Sequence, residues 1–315
     1  MSLSRDRRRG SKCFMFLVGC LALFTLDSHA ATEKAARWPV LFVIGDSTAR
    51  NNAKGKNGEP CVGWGTPLAD YFDREKITVA NFAHAGQSSR TYFNHPHDWP
   101  AVLPKIEPGD FVLLVFGIND GGPPRGPNSR GSVPGIGNET VKLYRPDGTQ
   151  ELVRSYGWYM SAMAEGAREK GARVYLLTVT TRNIWTNPKV KFRDATPIES
   201  LPQDYDPAED RIERGTANGR YTQWTKELGE KLGLPVLDLT NLCADRYEKL
   251  GREAVDQFYS DHNHTYLAGA DFVAATIVAG LKAFEASPFI PFLSVKGAAV
   301  PPADGKYVSE NRKPR

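Results

Sequence analysis

The sequence predicts an α/β fold: a three-layer, doubly wound (flavodoxin-like) sheet of about five parallel strands with helices on both faces. Two observations support this prediction. Short apolar segments are rich in β-branched and aromatic residues, and they alternate with longer segments whose apolar residues recur at helical spacing. That alternation is typical of a parallel sheet whose connecting helices cover both faces.

Five segments are predicted as strands and four as helices. The strands are Val40–Ile44, Ile77–Phe82, Phe111–Phe116, Val174–Val179 and Val236–Leu239. The helices are Leu68–Arg74, Val153–Lys170, Asn218–Leu232 and Ala268–Glu285. The second helix has the clearest signal, because its apolar residues keep a helical interval until Gly171 ends it.

We expect a single domain over residues 31–295, because no repeat and no linker divides this part of the chain. Residues 121–149 are rich in Gly, Pro and Arg, and a loop of this length inside one domain is usually functional or disordered. The tail, residues 296–315, is polar and contains proline, so we expect it to be poorly ordered.

Residues 1–30 have the pattern of a secretory signal peptide. Basic residues precede an apolar run, Cys13–Leu26, that is short for a membrane span, and small residues then lead to Ala30. We expect cleavage after Ala30 and a secreted or periplasmic protein that does not bind a membrane. A retained signal anchor stays open, as does a lipoprotein site at Cys20, although the apolar residues after Cys20 argue against the latter.

The charge of the chain excludes one class of partner. Residues 1–30 hold +3 of the formal net charge of +4, so the mature protein is close to neutral. It lacks the dense basic face that binds nucleic acid, so we expect no nucleic-acid partner. We also expect a monomer. Cys61 and Cys243 remain in the mature chain, and the sequence leaves open whether they form a disulfide.

The first predicted strand ends in Gly45-Asp46-Ser47-Thr48, which brings a serine to the carboxyl edge of the sheet. Active sites of doubly wound folds collect at this edge. Ser47 is therefore a candidate nucleophile, provided that a base lies within hydrogen-bond reach. The alternative is that Ser47 only caps a following helix.

Two further segments end strands at the same edge. Asn119, in Gly117-Ile118-Asn119-Asp120, offers a side-chain amide to a developing oxyanion, and Gly86 allows its backbone N–H to approach a ligand closely. Taken singly, each segment is better explained by an Asx turn or a glycine turn.

A third element precedes the last predicted helix. Asp261 lies three residues before His264, a spacing that lets the carboxylate accept from Nδ1–H and leaves Nε2 as a general base. His262 is then a neighbouring wall residue. A zinc site here would require a further ligand at a known spacing, and the sequence has no HExxH or CxxC motif, so we expect no metal and no cofactor.

Taken together, these blocks resemble the SGNH or GDSL-like hydrolase superfamily. The segments NFAHAGQSSRTY (Asn81–Tyr92), FGINDGG (Phe116–Gly122), RGSVPGIGNE (Arg130–Glu139) and SYGWY (Ser155–Tyr159) are similar to the rhamnogalacturonan acetylesterase group of carbohydrate esterases. The resemblance implies Ser47 as nucleophile, His264 as base, Asp261 as its orienting partner, and an oxyanion hole formed by Ser47, Gly86 and Asn119. One departure is that the serine lies in GDSTAR rather than the longer GDSL form.

The predicted substrate is an acetylated polysaccharide or oligosaccharide. Arginines of the loop after the third strand are candidates to meet uronate carboxylates, and aromatic side chains near the rim are candidates to stack on sugar rings. These candidate contacts are Arg125, Arg130, Arg145, Arg182, Trp64, Tyr92, Trp185 and Tyr259. A lipase or thioesterase, an acyltransferase acting on an envelope glycan, and a non-catalytic carbohydrate-binding module stay open as alternatives.

Overall fold

The computed structural model describes residues 37–122, 129–144, 148–186, 189–190 and 214–311, with the backbone alone at 186, 189–190 and 214–219. The predicted signal peptide, residues 1–30, and two candidate substrate contacts, Arg125 and Arg145, lie outside the described residues.

The helices and strands are numbered along the chain. The strands are β1 (Val40–Ile44), β2 (Thr78–Asn81), β3 (Phe111–Leu114), β4 (Thr140–Tyr144), β5 (Gln150–Arg154), β6 (Arg173–Leu177), β7 (Trp185–Thr186), β8 (Lys189–Val190), β9 (Val236–Leu237) and β10 (Val308–Ser309). The helices are α1 (Ser89–Asn94), α2 (Trp99–Val102), α3 (Tyr156–Glu169), α4 (Arg214–Leu232), α5 (Leu239–Leu250), α6 (Arg252–Asp256), α7 (Leu267–Ala283) and α8 (Val295–Ala299). Short 3₁₀ helices lie at Pro67–Tyr71, Leu103–Lys105, Ile290–Phe292 and Gly305–Tyr307.

A six-stranded sheet has the order β2-β1-β3-β6-β9-β10. Its neighbouring strands are parallel except β10, which is antiparallel to β9. In β1, Val43 lies opposite Asn81 of β2 and Leu113 of β3. The strand order and directions confirm the predicted doubly wound fold, with one more strand than expected. The carboxyl ends of the five parallel strands consequently lie at one edge.

Side chains of the parallel strands alternate between two apolar clusters, one on each face of the sheet. In β1, Leu41 and Val43 join the cluster that includes α5 and α7. Phe42 and Ile44 join the cluster that includes α1, α2, α3 and α4. Each such side chain, when fully buried, contributes about 1.5–3 kcal/mol relative to the exposed state. The two clusters therefore fix the sheet between its helical layers.

The predicted strands correspond to β1, β2, β3, β6 and β9, and three predicted helices correspond to α3, α4 and α7. The helix predicted at Leu68–Arg74 is wrong, because the chain forms a 3₁₀ helix and Phe72 is already extended and bridges Leu293. The loop predicted over 121–149 is wrong at its end. There β4 pairs with β5 and buries Leu143 against Val153.

The prediction of a poorly ordered tail is wrong for residues 296–311. Val308 and Ser309 extend the sheet by pairing with β9, and the backbone N–H of Asp238 donates to the carbonyl of Tyr307 at 2.8 Å. The side chain of Tyr307 is buried, and its hydroxyl donates to Asp245. Polar composition did not reveal this order because an edge strand is held by backbone hydrogen bonds.

Two features of the described residues concern the compartment. Cys61 and Cys243 are both buried free thiols, so this part of the chain contains no disulfide. Among the helices that the structure describes, none combines the length and the apolar character that a bilayer span requires. The location of the protein stays a prediction from residues 1–30.

A buried carboxylate ties the end of β3 to the start of α1. Asp120 is 1% exposed and accepts hydrogen bonds from the N–H and the hydroxyl of Ser89 and from the hydroxyl of Ser132. Burial raises the pKa of Asp120 to about 6, although these hydrogen bonds favour the ionised form. Asp120 thus fixes the neighbouring residue, Asn119, relative to the segment that leads from β2 into α1.

Replacing Asp120 with Asn is predicted to change the pH dependence of folding. The raised pKa means that the folded protein binds this proton more tightly than the unfolded chain does. The resulting stabilisation is full below about pH 4 and is lost as the pH rises through about 6. The free energy of unfolding of the wild type relative to Asp120→Asn should therefore fall over that range, as measured by urea unfolding followed by tryptophan fluorescence.

Ser132→Ala provides a matched control, because it keeps the carboxylate and removes one hydrogen bond that lowers the pKa of Asp120. In this variant the loss of stabilisation should move to higher pH. Parallel pH curves for the wild type and Asp120→Asn would contradict a raised pKa at this position.

Candidate active site

Four polar segments meet at the carboxyl edge of the sheet. Ser47 follows β1, Gly86 follows β2, Asn119 follows β3, and His264 lies in the loop before α7. Because parallel strands end at a common edge, residues that are distant in sequence become neighbours there. This is the arrangement that the sequence predicts.

Ser47 lies in a tight turn that Asp46 fixes. The carboxylate of Asp46 accepts from the N–H of Thr48 at 2.9 Å and from its hydroxyl at 2.8 Å. Burial raises the pKa of Asp46, and the hydrogen bonds from Thr48 oppose that shift. The following residues form turns rather than a helix, so Ser47 is not a helix cap. Sequence reasoning missed the role of Asp46, although an acidic residue directly before a strand-end serine is a visible signal.

The segment 63–65 packs directly against this turn. A Cβ on Gly63 would lie 2.3 Å from the carbonyl carbon of Ala49 and from the amide nitrogen of Arg50, so only glycine fits this close approach. The N–H of Trp64 donates to the carbonyl of Thr48 at 2.9 Å. These contacts hold the turn that carries Ser47 between β1 and the segment 63–65.

Ser47, His264 and Asp261 form a continuous chain of hydrogen bonds. Oγ of Ser47 lies 3.0 Å from Nε2 of His264, and Nδ1 of His264 lies 2.8 Å from Oδ2 of Asp261. Ser47 is 7% exposed, whereas the side chain of His264 is 31% exposed. A serine hydroxyl of low accessibility therefore faces an imidazole that solvent reaches.

Asp261 is held so that it orients the imidazole. Its Oδ1 accepts from the N–H of Asn263 at 2.7 Å and from the N–H of His264 at 2.8 Å. Burial opposes ionisation of Asp261, but the hydrogen bonds from the His264 ring and from the two N–H groups outweigh it and lower its pKa. An ionised Asp261 favours the tautomer with a proton on Nδ1, which leaves Nε2 free to accept from Ser47.

The loop that carries His264 is fastened to two other segments. The N–H of Val62 donates to the carbonyl of Thr265 at 2.8 Å, and the hydroxyl of Thr265 donates back to the carbonyl of Val62 at 2.7 Å. The N–H of Asn183 donates to the carbonyl of His262 at 2.9 Å. These hydrogen bonds fix the imidazole opposite a serine that is 217 residues earlier in the chain.

The edge also presents hydrogen-bond donors. Gly86 has a φ of +85°, a conformation that favours glycine. Within the described chain, neither the N–H of Gly86 nor the N–H of Ser47 donates to a protein group. The amide nitrogen of Asn119 donates one N–H to the carbonyl of Gln87 at 2.8 Å. Its second N–H can donate to a substrate oxygen. The structure thus brings Asn119 against the turn at Gly86.

Arg130 supports the same turn. Its Nη1 donates to the carbonyl of Gly86 at 2.9 Å, and the hydroxyl of Ser88 donates to the carbonyl of Arg130 at 2.5 Å. Arg130 is half-buried. It therefore places a positive charge beside Gly86 and fixes the backbone there.

Four of the predicted sugar contacts have buried side chains in this structure. Arg182 is 4% exposed, and its Nη2 donates to the carbonyl of Ile118. Tyr259 is 7% exposed, and its hydroxyl donates to the carbonyl of Thr181 at 3.0 Å. Trp64 and Tyr92 belong to the two apolar clusters. All four contribute to the interior beneath the site.

Trp185 is the predicted aromatic contact that keeps an accessible surface. It is half-buried, and its indole N–H donates to the side chain of Asn183 at 2.6 Å. It follows β6 at the carboxyl edge of the sheet, and its contact with a sugar stays a prediction.

The chain is similar in sequence to a known family of acylhydrolases. The model of the GDSL-like lipase/acylhydrolase family matches residues 43–270, a range that contains Ser47, Gly86, Asn119, Asp261 and His264. The rhamnogalacturonan acetylesterase of Emericella nidulans is 28% identical over 235 residues, which are 74% of this chain and 81% of that protein. The rhamnogalacturonan acetylesterase RhgT of Bacillus subtilis is 23% identical over 258 residues, 77% of this chain and 89% of that one.

A solved structure agrees with the fold. Protein YxiM from Bacillus subtilis, which is named an uncharacterized esterase, matches with a TM-score of 0.55 at 25% identity, over 78% of this chain and 56% of the YxiM chain. The family match covers more than half of the present chain. The chain belongs to the GDSL-like lipase/acylhydrolase family and is a carboxylic ester hydrolase.

Proposed function

We propose that this protein is an exported, monomeric serine esterase that hydrolyses O-acetyl esters on a plant cell-wall polysaccharide, pectin of the rhamnogalacturonan type. The observation that carries the proposal is the chain of hydrogen bonds from Ser47 through His264 to Asp261, with distances of 3.0 and 2.8 Å. Relatives named rhamnogalacturonan acetylesterase support the choice of substrate.

In the first half of the reaction, Oγ of Ser47 attacks the carbonyl carbon of the acetyl ester while Nε2 of His264 takes the hydroxyl proton. The carbonyl oxygen of the acetyl group becomes an oxyanion. When the tetrahedral intermediate collapses, the bond to the sugar oxygen breaks and His264 gives its proton to that oxygen. The products of this half are an acetylated Ser47 and a free sugar hydroxyl. Asp261 stabilises the imidazolium that forms in between.

In the second half of the reaction, a water molecule is the nucleophile in place of the serine hydroxyl. His264 takes a proton from water, the resulting hydroxide attacks the acetyl carbonyl, and collapse returns the proton to Ser47 and releases acetate. In both halves the oxyanion accepts hydrogen bonds from the N–H of Ser47, the N–H of Gly86 and the amide of Asn119. The turns at 46–50 and 84–89 hold these donors in place before the reaction begins.

The polarity of the surrounding segments favours a small acyl group on a sugar. The exposed large apolar side chains of the described residues lie at positions 38, 144, 152, 250, 267, 290 and 295. None lies in the segments 45–66, 82–98 or 115–122, and Leu267, three residues after His264, is the single one next to the histidine loop. A long acyl chain would need such a surface. Arg130 supplies a positive charge that suits the carboxylates of a uronic acid polymer, and Trp185 supplies a ring that suits a sugar face.

Ser47→Ala is predicted to abolish hydrolysis of an aryl acetate, because the variant lacks the atom that forms the acyl-enzyme. The measurement is release of the aryl alcohol by the purified protein. Ser309→Ala changes an exposed serine on β10 and should retain wild-type activity. Near-normal activity of a folded Ser47→Ala protein would show that the nucleophile is another residue.

Asn119→Ala is predicted to lower kcat by about two to three orders of magnitude with little change in KM. The reason is that the variant loses a hydrogen bond that the oxyanion accepts only in the transition state. The exposed residue Asn138 gives a control variant, Asn138→Ala, that should keep the wild-type kcat. Circular dichroism and thermal unfolding verify the fold, since Asn119 also bonds the carbonyl of Gln87. An unchanged kcat in a folded Asn119→Ala protein would remove this amide from the oxyanion hole.

The substrate class is tested by acetate release from acetylated rhamnogalacturonan, acetylated homogalacturonan and acetylated xylan in parallel, with aryl acetates and long-chain aryl esters alongside. We expect the highest rate on rhamnogalacturonan and the lowest on long-chain esters. A preference for xylan would move the substrate to another polysaccharide, and a preference for long chains would indicate a lipase. Binding to pectin without acetate release would indicate a carbohydrate-binding module.

A further inference from the structure

Three polar side chains between β2 and α2 form a group of their own. Nδ1 of His84 lies 2.8 Å from Oδ1 of Asp98, and Nδ1 of His95 lies 3.2 Å from Oδ2 of Asp98. One side-chain nitrogen or oxygen from each residue lies within 4.8 Å of those of the other two. The rings of His84 and His95 are edge-to-face, with centroids 5.8 Å apart. None of these residues takes part in the proposed ester hydrolysis.

Two atoms of this group are buried and lack a hydrogen-bond partner. They are Oδ2 of Asp98 and Nδ1 of His95, which face each other at 3.2 Å without hydrogen-bond geometry. Asp98 is 5% exposed, so its carboxylate has little contact with bulk solvent. A buried polar atom without a partner is unusual in a folded protein, and a bound ion is one of the groups that can satisfy it.

Asp98 is the N-cap residue of α2, but its side chain makes no capping hydrogen bond. Pro100 has no N–H, and the N–H groups of Ala101 and Val102 donate to the backbone carbonyl of Asp98 at 3.0 and 2.9 Å. The carboxylate is directed at the two imidazoles.

We propose that His84, His95 and Asp98 bind one divalent transition-metal ion, with Zn²⁺ as the best match. Two imidazole nitrogens and one carboxylate oxygen are ligands that Zn²⁺ accepts, and a three-residue set leaves a position for water. Ligand atoms about 2.0–2.2 Å from a tetrahedral ion lie roughly 3.4 Å from one another. The hydrogen-bonded pair of His84 and Asp98, at 2.8 Å, and the contact of His95 with Asp98, at 3.2 Å, are shorter than this value, so these side chains must move apart by a few tenths of an ångström to admit the ion.

The site braces the segment between β2 and α1. The N–H of His84 donates to the carbonyl of Gly45 at 3.0 Å, and the N–H of Gln87 closes a turn onto the carbonyl of His84 at 3.3 Å. A metal bound to His84 therefore links the turn that contains Gly86 to the start of α2. Its role is to stabilise this segment, and the proposal stands on its own geometry, independently of the proposed ester hydrolysis.

The test is zinc binding by the full chain, purified without a polyhistidine tag and treated with a chelator. Isothermal titration with ZnCl₂ should give one ion per chain, and Zn²⁺ should raise the midpoint of thermal unfolding. His84→Gln and Asp98→Asn should each weaken binding by about 100-fold or more, since loss of a supporting residue alone typically costs about 10–100-fold. Co²⁺ in place of Zn²⁺ should give the visible absorption bands of a low-coordinate site.

His97→Gln is the matched control. His97 is exposed and its ring contacts His95, but it is not one of the three ligands, so this variant should bind as the wild type does. His84 is also exposed, so His84→Gln keeps the test decisive if Asp98→Asn fails to fold. A His264→Gln variant should bind zinc normally, and loss of binding in that variant would move the ion to the Asp261–His264 pair.

The proposal is overturned if the wild type shows no saturable binding of zinc. Equal affinity in the wild type and His84→Gln would also overturn it, because the three residues would then form only a hydrogen-bonded ion pair.

Discussion

The hydrogen bond between Ser47 and His264 depends on a topological constraint, namely that parallel strands end at a common edge. The two residues are 217 positions apart, and their side chains lie 3.0 Å from each other. No local interaction brings them together. The sheet delivers the serine at the end of β1, and the hydrogen bonds between Val62 and Thr265 deliver the histidine loop to the same place. The remaining features of the site are arranged around this contact.

Two buried carboxylates keep the edge rigid. Asp46 fixes the turn of Ser47, and Asp120 fixes the start of α1 against the end of β3. Burial raises the pKa of both groups, which means that their ionised forms cost free energy in the folded protein. Such a cost is common where polar groups must be held in one orientation before a reaction begins. The two ionised carboxylates therefore lower the stability of the folded protein and hold the neighbouring hydrogen-bond donors in one orientation.

The segment after β2 serves two neighbouring features. Its glycine turn is held by Arg130 on one side, at 2.9 Å from the carbonyl of Gly86. On the other side, His84 faces Asp98 and His95. A metal at that position and the charge of Arg130 act on the same backbone from two directions. The segment 84–98 is thus where fold stability and the chemistry of the edge meet.

The sequence by itself determined the parallel sheet, the three polar segments at strand ends and the Asp261–His264 pair. Apolar periodicity and the three-residue spacing of Asp261 and His264 are properties of short segments, so they can be read from the sequence without knowledge of tertiary contacts. Only the tertiary structure decided which side chains reach the surface. Arg182 and Tyr259 follow the pattern of sugar contacts yet are buried, because exposure depends on packing against distant segments. The order of residues 296–311 and the grouping of His84, His95 and Asp98 have the same physical reason: each depends on contacts that form only after the chain has folded.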